Sequence, residues 1–280
     1  MAWEINALIS SILFSLNSIL GRSLAVKSED PRAFAFVYNA IAAGFALVFL
    51  VFEQTKFTPL PMWVIILSAL NMVTYGIFNR YEFFARKYVE ASTYTILTKF
   101  IPIVTFTIAI LFLGESLTFP KIIAAFLIVG GNILAVFKGR KLAVQKGIKY
   151  ALIVILSLGV AWSFDKRLSS FYPLAFYAFL TYAIPNVFLY LFPRLAVKGL
   201  LKEVKISNWK IILLAFVNVS AYYFLIKAFS YGEASRVVLI TSTSTILTVV
   251  IGIVFLKERS NVVRKVIAAL LVTIGALLLK

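Results

Sequence analysis

Long apolar segments separated by short polar connections dominate this sequence. A bilayer core about 30 Å thick requires about 20 apolar residues in an α-helix, and ten segments reach that length. They lie at residues 4–26, 33–52, 62–83, 91–113, 120–137, 148–168, 173–193, 209–228, 235–256 and 262–279. The connections, such as Lys27–Pro31 and Lys138–Lys141, are too short to hold a folded domain. The pattern predicts an all-α, multi-pass protein of the cell membrane with ten transmembrane helices.

Composition narrows the range of functions. Apolar residues make up 62% of the chain, charged residues only 14%, and the sequence contains no Cys and no His. The absence of these two residues removes thiolate nucleophiles, imidazole bases and most metal and haem ligands. We therefore expect no enzyme, no cofactor and no metal site. The net charge of +17 does not indicate nucleic-acid binding, because no soluble domain remains to carry it, and membrane lipids are the expected partners.

The sequence contains an internal repeat. Tyr88–Ser92 (Tyr-x-Glu-Ala-Ser) recurs as Tyr231–Ser235, and Phe112–Glu115 (Phe-Leu-x-Glu) recurs at the same spacing as Phe255–Glu258. We predict two repeats, residues 1–142 and 143–280, with five helices each. Because five is odd, the second repeat enters the membrane in the opposite sense, as in many secondary transporters. A duplicated scaffold without transport activity is the alternative interpretation.

The basic residues are distributed unevenly about the predicted bilayer. Most of the 28 Lys and Arg residues fall on the side opposite the N-terminus, including Lys138–Lys141 and Lys198–Lys210. Since cytoplasmic loops carry an excess of Lys and Arg, this distribution predicts that both termini lie outside the cytoplasm.

The repeated motifs resemble those of the drug/metabolite transporter superfamily, and in particular its EamA-type branch, over essentially the whole chain. Members usually have Trp-Gly and a nearby Asn in the first helix of each half, where this chain has Trp162–Asp165 and Phe14–Asn17. Pro102 matches a proline of the fourth span, whose partner position is Thr245. The resemblance implies ten helices in two halves and a transport function. It also implies cytoplasmic termini, so the orientation stays open between the two arguments.

Lys99 is the clearest candidate for a functional residue. It lies eight residues into the fourth predicted span, about 12 Å along the helix axis, which is deep for a charged group in a membrane. One interpretation is a cation that binds a substrate carboxylate or phosphate, or that pairs with another intramembrane charge. The alternative is a structural salt bridge between helices.

Asp165 is the second candidate, and it aligns with Asn17 of the first half. It is predicted to be a proton or cation site, and so the coupling residue, or the partner of a substrate ammonium group. The alternative is that Asp165, followed by Lys166 and Arg167, forms a solvated end of the sixth span. Arg80 and Glu82, near the end of the third span, are interpreted as interfacial residues or as a gate at the mouth of a cavity.

Polar and aromatic residues at similar depths complete the predicted site. Asn71 and Tyr75 are four residues apart and share a helix face, as do Asn218 and Tyr222. Some hydroxyls of Thr241–Thr245 must bond carbonyls of their own helix, because the run covers every face. The predicted substrate contacts are Asn17, Asn71, Tyr75, Tyr94, Thr98, Lys99, Trp162, Asp165, Asn218, Tyr222, Thr241 and Thr245.

Together these features predict a secondary active transporter, a permease, exporter or exchanger. It would move a small polar metabolite, such as an amino acid or a related compound, by alternating access, with proton coupling left open. The alternatives are a lipid or lipid-phosphate carrier or flippase, and a sugar-phosphate-type exchanger of the same fold. Gly130, Gly131 and Gly275 indicate close helix packing, within the chain or in a homodimer.

Overall fold

The structure is a computed structural model, and it describes residues 2–53, 59–89, 94, 97–136, 147–191, 194–244, 246 and 262–279. These residues fold into a bundle of helices. The helices are α1 (Ala2–Ala25), α2 (Pro31–Phe52), α3 (Met62–Tyr88), α4 (Ile101–Phe112), α5 (Phe119–Val136), α6 (Ile148–Leu168), α7 (Leu174–Leu191), α8 (Val197–Ser207), α9 (Lys210–Tyr231), α10 (Ala234–Thr241) and α11 (Val262–Leu277).

Most of the predicted spans coincide with observed helices. Within the described residues, α1, α2, α3, α6, α7 and α9 are long and apolar enough to cross a membrane, and α4, α5 and α11 contain shorter apolar helices. The ninth predicted span begins with α10, and most of its remainder lies outside the described residues. Helix α3 continues to Tyr88, beyond the predicted end at residue 83. Helix α8 was not predicted, because it is short and rich in lysine.

The two halves of the chain make the same helix contacts with their roles exchanged. Helix α1 packs against α9, and α6 packs against α3, so the first helix of each half meets the third helix of the other. Helices α2 and α7 pair with each other, as do α5 and α11, and the α4–α6 contact repeats as the α10–α1 contact. Such exchange is what a two-fold relationship between the repeats requires, and it places the central cavity at their interface.

Glutamate side chains from distant segments hold the starts of several helices. The first amides of a helix have no partner within the helix, and carboxylates there also complement the helix dipole. Glu53 accepts hydrogen bonds from the amides of Leu174 and Ala175 at the start of α7, at 3.2 and 2.8 Å. Glu115 accepts from the amides of Ala234 and Ser235 at the start of α10, at 2.6 and 3.0 Å. The Glu115 contact joins the second copy of the Tyr-x-Glu-Ala-Ser motif to the first copy of the Phe-Leu-x-Glu motif.

Glycines permit the close approach of α5 and α11. A Cβ atom added at Gly131 would lie 2.9 Å from the carbonyl oxygen of Ala268, and one at Gly275 would lie 3.1 Å from that of Ala124. Gly130, in contrast, faces open space. Gly131 and Gly275 therefore allow α5 and α11 of the same chain to pack closely, as one of the two interpretations predicted. A homodimer remains a prediction.

Candidate functional site

The helices that contain the fourth and ninth predicted spans are interrupted at equivalent positions of the two repeats. Leu97 and Thr98 are helical, Lys99 and Phe100 form a turn, and α4 begins at Ile101. In the second half, α10 ends at Thr241, and Ser242 and Thr243 form the turn. The repeat aligns these two turns residue for residue. Discontinuous helices near the repeat interface commonly mark the binding site of secondary transporters.

Different residues produce the two interruptions. In the first half, Pro102 lies in the first turn of α4 and has no amide hydrogen to continue a helix through Lys99. In the second half, three hydroxyl residues lie at the turn. Thr241, Ser242 and Thr243 donate to the carbonyls of Val237, Leu239 and Ile240 at 2.7–2.8 Å. Such bonds to carbonyls of the same helix were predicted for part of the run Thr241–Thr245. The side-chain amide of Asn132 donates to the carbonyl oxygen of Ser242 at 3.0 Å, so this buried acceptor has a partner.

Both interruptions border a cavity of about 220 Å³ between the two halves. The cavity has an aromatic wall, in which the rings of Phe14 and Trp162 lie 6.2 Å apart. These two residues occupy equivalent positions in the first helices of the two halves. The polar part of the wall consists of Asn17, Ser18, Glu82, Arg86, Tyr94, Thr98, Lys99, Asn218, Thr241, Ser242 and Ser244.

Charge in this cavity is arranged unequally. Arg86 and Glu82 are one helical turn apart, and they form an ion pair in which Arg86 donates to Glu82 at 2.7 Å. The guanidinium of Arg86 also lies 5.7 Å from the ring centre of Tyr94. Lys99 is partly buried in the same wall. In the part of the chain that the structure describes, Lys99 forms no ion pair. The charges of Glu82 and Arg86 offset each other, and the positive charge of Lys99 is left available to the cavity.

Glu82 is only 8% exposed, and it lines the cavity. A role for Glu82 as a gate remains a prediction.

A second, smaller cavity of about 70 Å³ adjoins the first. Glu82, Trp162 and Asn218 are among the residues that line both cavities. Asn17 donates to Asn218 at 2.9 Å, and Asn218 donates to the hydroxyl of Tyr182 at 2.6 Å. This chain of hydrogen bonds connects α1, α9 and α7 along the wall between the cavities.

Asp165 lies behind the smaller cavity, where it is fully buried. Four donors surround its carboxylate. Tyr177 and Asn71 donate to one oxygen at 2.7 and 2.8 Å, and Tyr75 and Tyr222 donate to the other at 2.6 and 3.1 Å. An ionised carboxylate offers about four acceptor sites, so these contacts satisfy it without a cation. The burial overturns the alternative that Asp165 is a solvated end of the sixth span.

Lys166, the neighbour of Asp165, is directed elsewhere. Its ammonium group donates to the carbonyl oxygens of Phe229 and Gly232, at 2.8 and 2.7 Å. Within the described residues, the groups that titrate and face Asp165 are therefore the three tyrosines, Tyr75, Tyr177 and Tyr222.

The predicted substrate contacts fall into three groups in the structure. Those that line the larger cavity are Asn17, Tyr94, Thr98, Lys99, Trp162, Asn218 and Thr241. Tyr75 and Tyr222 line the smaller cavity, Asn71 and Asp165 lie behind it, and Thr245 lies outside the described residues. Their role in substrate binding remains a prediction.

Sequence reasoning missed Tyr177 as a partner of Asp165 and did not place the Glu82–Arg86 pair in the cavity. The four-residue spacing of Glu82 and Arg86, typical of helix ion pairs, was a usable signal. No signal marked Tyr177, because it is one of three tyrosines spread along an apolar helix.

Comparison with known proteins identifies the family. The model of the EamA-like transporter family matches this chain twice, over residues 1–137 and 145–280. No curated protein matches the sequence. One solved crystal structure is 13% identical, covers 99% of this chain and 98% of its own, and has a TM-score of 0.74, which shows the shared fold. Two family matches that together span the chain, on a bundle of membrane-spanning helices, make this a multi-pass membrane protein that belongs to the EamA-like transporter family.

Proposed function

We propose that this protein is a secondary transporter for a small metabolite that carries an anionic group, such as the carboxylate of an amino acid or a related compound. The observation that carries the proposal is Lys99, which lines the cavity at a helix interruption and forms no ion pair within the described residues. Partial removal of an ammonium group from water without a counter-charge is unfavourable. A bound carboxylate or phosphate offsets that cost, so the cavity favours a ligand of negative charge.

The backbone at the interruption supports the same preference. The first turn of α4 contributes Ile101 and Pro102 to the cavity wall. Helix N-termini carry a partial positive charge and unpaired amide groups, which favour anions. Lys99 lies two residues before this N-terminus, so the two positive features act on the same part of the cavity.

The remainder of the wall fits a small molecule with both polar and apolar parts. Phe14 and Trp162 supply apolar surface, and Asn17, Thr98 and Asn218 supply hydrogen-bonding groups. Glu82 adds a carboxylate that a substrate ammonium group could approach if Arg86 moved. A zwitterion such as an amino acid matches this combination better than a lipid, whose long chains a cavity of about 220 Å³ does not enclose.

The repeated architecture supports alternating access. The same helix contacts occur twice with the halves exchanged, which allows a second arrangement in which the halves adopt each other's conformation. Motion between the two arrangements would expose the cavity to opposite sides of the membrane.

We further propose that Asp165 carries the proton that couples transport to the proton gradient. Its carboxylate is buried, and within the described residues its contacts are hydroxyl and amide groups and no cation. Tyr75 and Tyr222 contact Asp165 and also line the smaller cavity. These two tyrosines therefore provide a physical link between the protonation state of Asp165 and the shape of the cavity wall.

Counterflow in liposomes tests the substrate proposal. Purified protein would be loaded with unlabelled compounds from a panel of amino acids, amines, sugars, sugar phosphates and lipid phosphates, and uptake of the labelled compound measured. We expect transport of a carboxylate-bearing compound, and a loss of at least about tenfold in Lys99→Gln, since one charged contact is worth about 1.5–3 kcal/mol.

The matched control is Lys149→Gln, because Lys149 is exposed and outside the cavity. Wild-type rates in Lys99→Gln, or transport restricted to uncharged compounds or to amines, would contradict the proposal. Transport of lipid phosphates alone would support the lipid-carrier alternative. Transport of sugar phosphates alone would keep the preference for an anion but replace the amino-acid class with the sugar-phosphate-type exchanger.

A further inference from the structure

Helix α8 (Val197–Ser207) has three distinct faces. At about 100° per residue, Leu200, Glu203 and Ser207 lie on one face, and this face is turned toward the bundle. Glu203 and Ser207 are each 1% exposed, and Leu200 packs against the hydrophobic core.

The next face around the helix is apolar and uncovered. It consists of Val197, Leu201 and Val204, spaced as i, i+4 and i+7, which are 58%, 59% and 44% exposed. Exposed aliphatic side chains in a continuous stripe need an apolar environment. Trp209, just beyond the end of α8, is also exposed, and tryptophan is enriched at membrane–water interfaces.

The third face carries positive charge. Lys198, Lys202 and Lys205 follow the same i, i+4, i+7 spacing, one residue further along, and all three are exposed. Lys202 pairs with Glu29, whereas within the described residues Lys198 and Lys205 form no ion pair.

The position of α8 relative to the spans fixes its depth. It connects the end of α7 to the start of α9, both long enough to cross the membrane, and it contacts α2 and α9. Helix α8 therefore lies at the surface of the bilayer, with one face against the protein, the apolar stripe beside it and the lysines beyond.

We propose that α8 is an interfacial helix that binds anionic phospholipid, with Val197, Leu201 and Val204 inserted among the acyl chains and Lys198 and Lys205 on the headgroups. Apolar and basic stripes side by side are the combination that holds amphipathic helices in an anionic membrane surface. A lipid surface suits both stripes at once.

The contact between α8 and α2 connects lipid binding at α8 to a helix of the repeat interface. Glu203 accepts hydrogen bonds from the amides of Glu29 and Asp30, both at 2.8 Å, directly before α2 begins. Anionic lipid that holds α8 at the surface thereby also holds the start of α2, a helix of the repeat interface.

Site-directed fluorescence in liposomes tests the proposal with the full-length chain. The sequence contains no Cys, so an environment-sensitive thiol dye on Leu201→Cys is the only label. Vesicles would contain phosphatidylcholine mixed with phosphatidylglycerol, with bromine quenchers on the acyl chains of either one lipid or the other. We expect quenching by both lipids and stronger quenching by brominated phosphatidylglycerol.

Two variants separate insertion from charge, and a third serves as the control for charge. Gly199→Cys places the dye on the far side of α8, where an added Cβ atom meets open space, and we expect it to be quenched least. Lys198→Gln with Lys205→Gln should leave the quenching at position 201 but reduce the preference for phosphatidylglycerol, by about fivefold for each lysine. Lys227→Gln, at the far end of α9, should not change that preference.

Three results would overturn the proposal. The first is a dye at position 201 that neither lipid quenches, and the second is equal quenching by both lipids in Leu201→Cys with all its lysines in place. The third is self-quenching between labelled copies that replaces lipid quenching, because a second protein molecule would then cover the apolar stripe.

Discussion

Asn71 donates a hydrogen bond of 2.8 Å to Asp165, from the third helix of the first half to the first helix of the second half. The corresponding contact in the other direction is the 2.9 Å bond from Asn17 to Asn218. The two-fold arrangement thus repeats a polar contact between the halves, but only one copy contains a carboxylate. At this contact the difference between the halves is Asp165 in place of Asn17.

We predict that Asp165→Asn separates exchange from accumulation. The amide has nearly the shape of the carboxylate, but it does not titrate. Only one of its two terminal atoms, the oxygen, accepts hydrogen bonds. Exchange down a substrate gradient should persist, and accumulation driven by a proton gradient should be lost. Paired counterflow and proton-driven uptake assays on one liposome preparation measure both, and normal accumulation in Asp165→Asn would exclude the proposed coupling role.

The same variant should also unfold more easily, which needs no known substrate to measure. Its amide NH₂ group would face hydroxyl donors, so we expect a loss of about 1–3 kcal/mol as a lower apparent unfolding temperature in detergent. Tyr177→Phe removes a single donor and should cost less. A Tyr177→Phe protein less stable than Asp165→Asn would show that ring packing, and not the carboxylate, dominates this cluster.

Glu82 and Arg86 should behave as a coupled pair. Their side chains are only 11% and 18% exposed, so removal of either one leaves the other charge poorly solvated. We expect Glu82→Gln and Arg86→Gln each to lower the unfolding temperature, and the double variant to lower it by less than the sum. A double-mutant cycle in detergent measures this, and strict additivity would contradict the inferred pairing.

The Glu115 contact should stabilise the start of α10. Loss of a helix cap typically costs about 0.5–2 kcal/mol, and Glu115 also accepts from the Ser235 hydroxyl. Glu115→Ala should therefore unfold at a lower temperature than the wild type. Glu29→Ala is the control, because Glu29 is exposed and pairs with Lys202 at the surface; an equal effect of both substitutions would show that the cap contributes nothing.

Adjacent glycines in α5 should differ in their tolerance of alanine. In Gly131→Ala the new methyl group would contact the Ala268 carbonyl and Val272 at less than van der Waals distance. Helices α5 and α11 would have to separate, at a cost of about 1–3 kcal/mol. Gly130→Ala meets open space and should be neutral or slightly stabilising, since alanine favours helix. Unfolding temperatures of the two variants, measured side by side, check this, and equal effects would contradict it.

The membrane class was available from the sequence because it depends on local quantities. The length of each apolar run determined which helices can cross the bilayer, and six long helices appear where such runs were predicted. The repeated Tyr-x-Glu-Ala-Ser and Phe-Leu-x-Glu motifs likewise indicated two halves. Their shared function, an acid of one half that caps a helix of the other, was not visible, because the two motifs lie far apart along the chain.

The sequence by itself determined that Lys99 lies deep in an apolar run, and it left Asp165 open between a buried site and a solvated helix end. Only the tertiary structure decided their surroundings. Nothing in the sequence distinguishes Tyr177 or pairs Tyr222 with Asp165 until α7 and α9 bring both hydroxyls to the Asp165 carboxylate. Hydrophobic spacing specifies where a helix buries its side chains, whereas the direction of a hydrogen bond depends on the rotation and depth of every neighbouring helix, which packing alone sets.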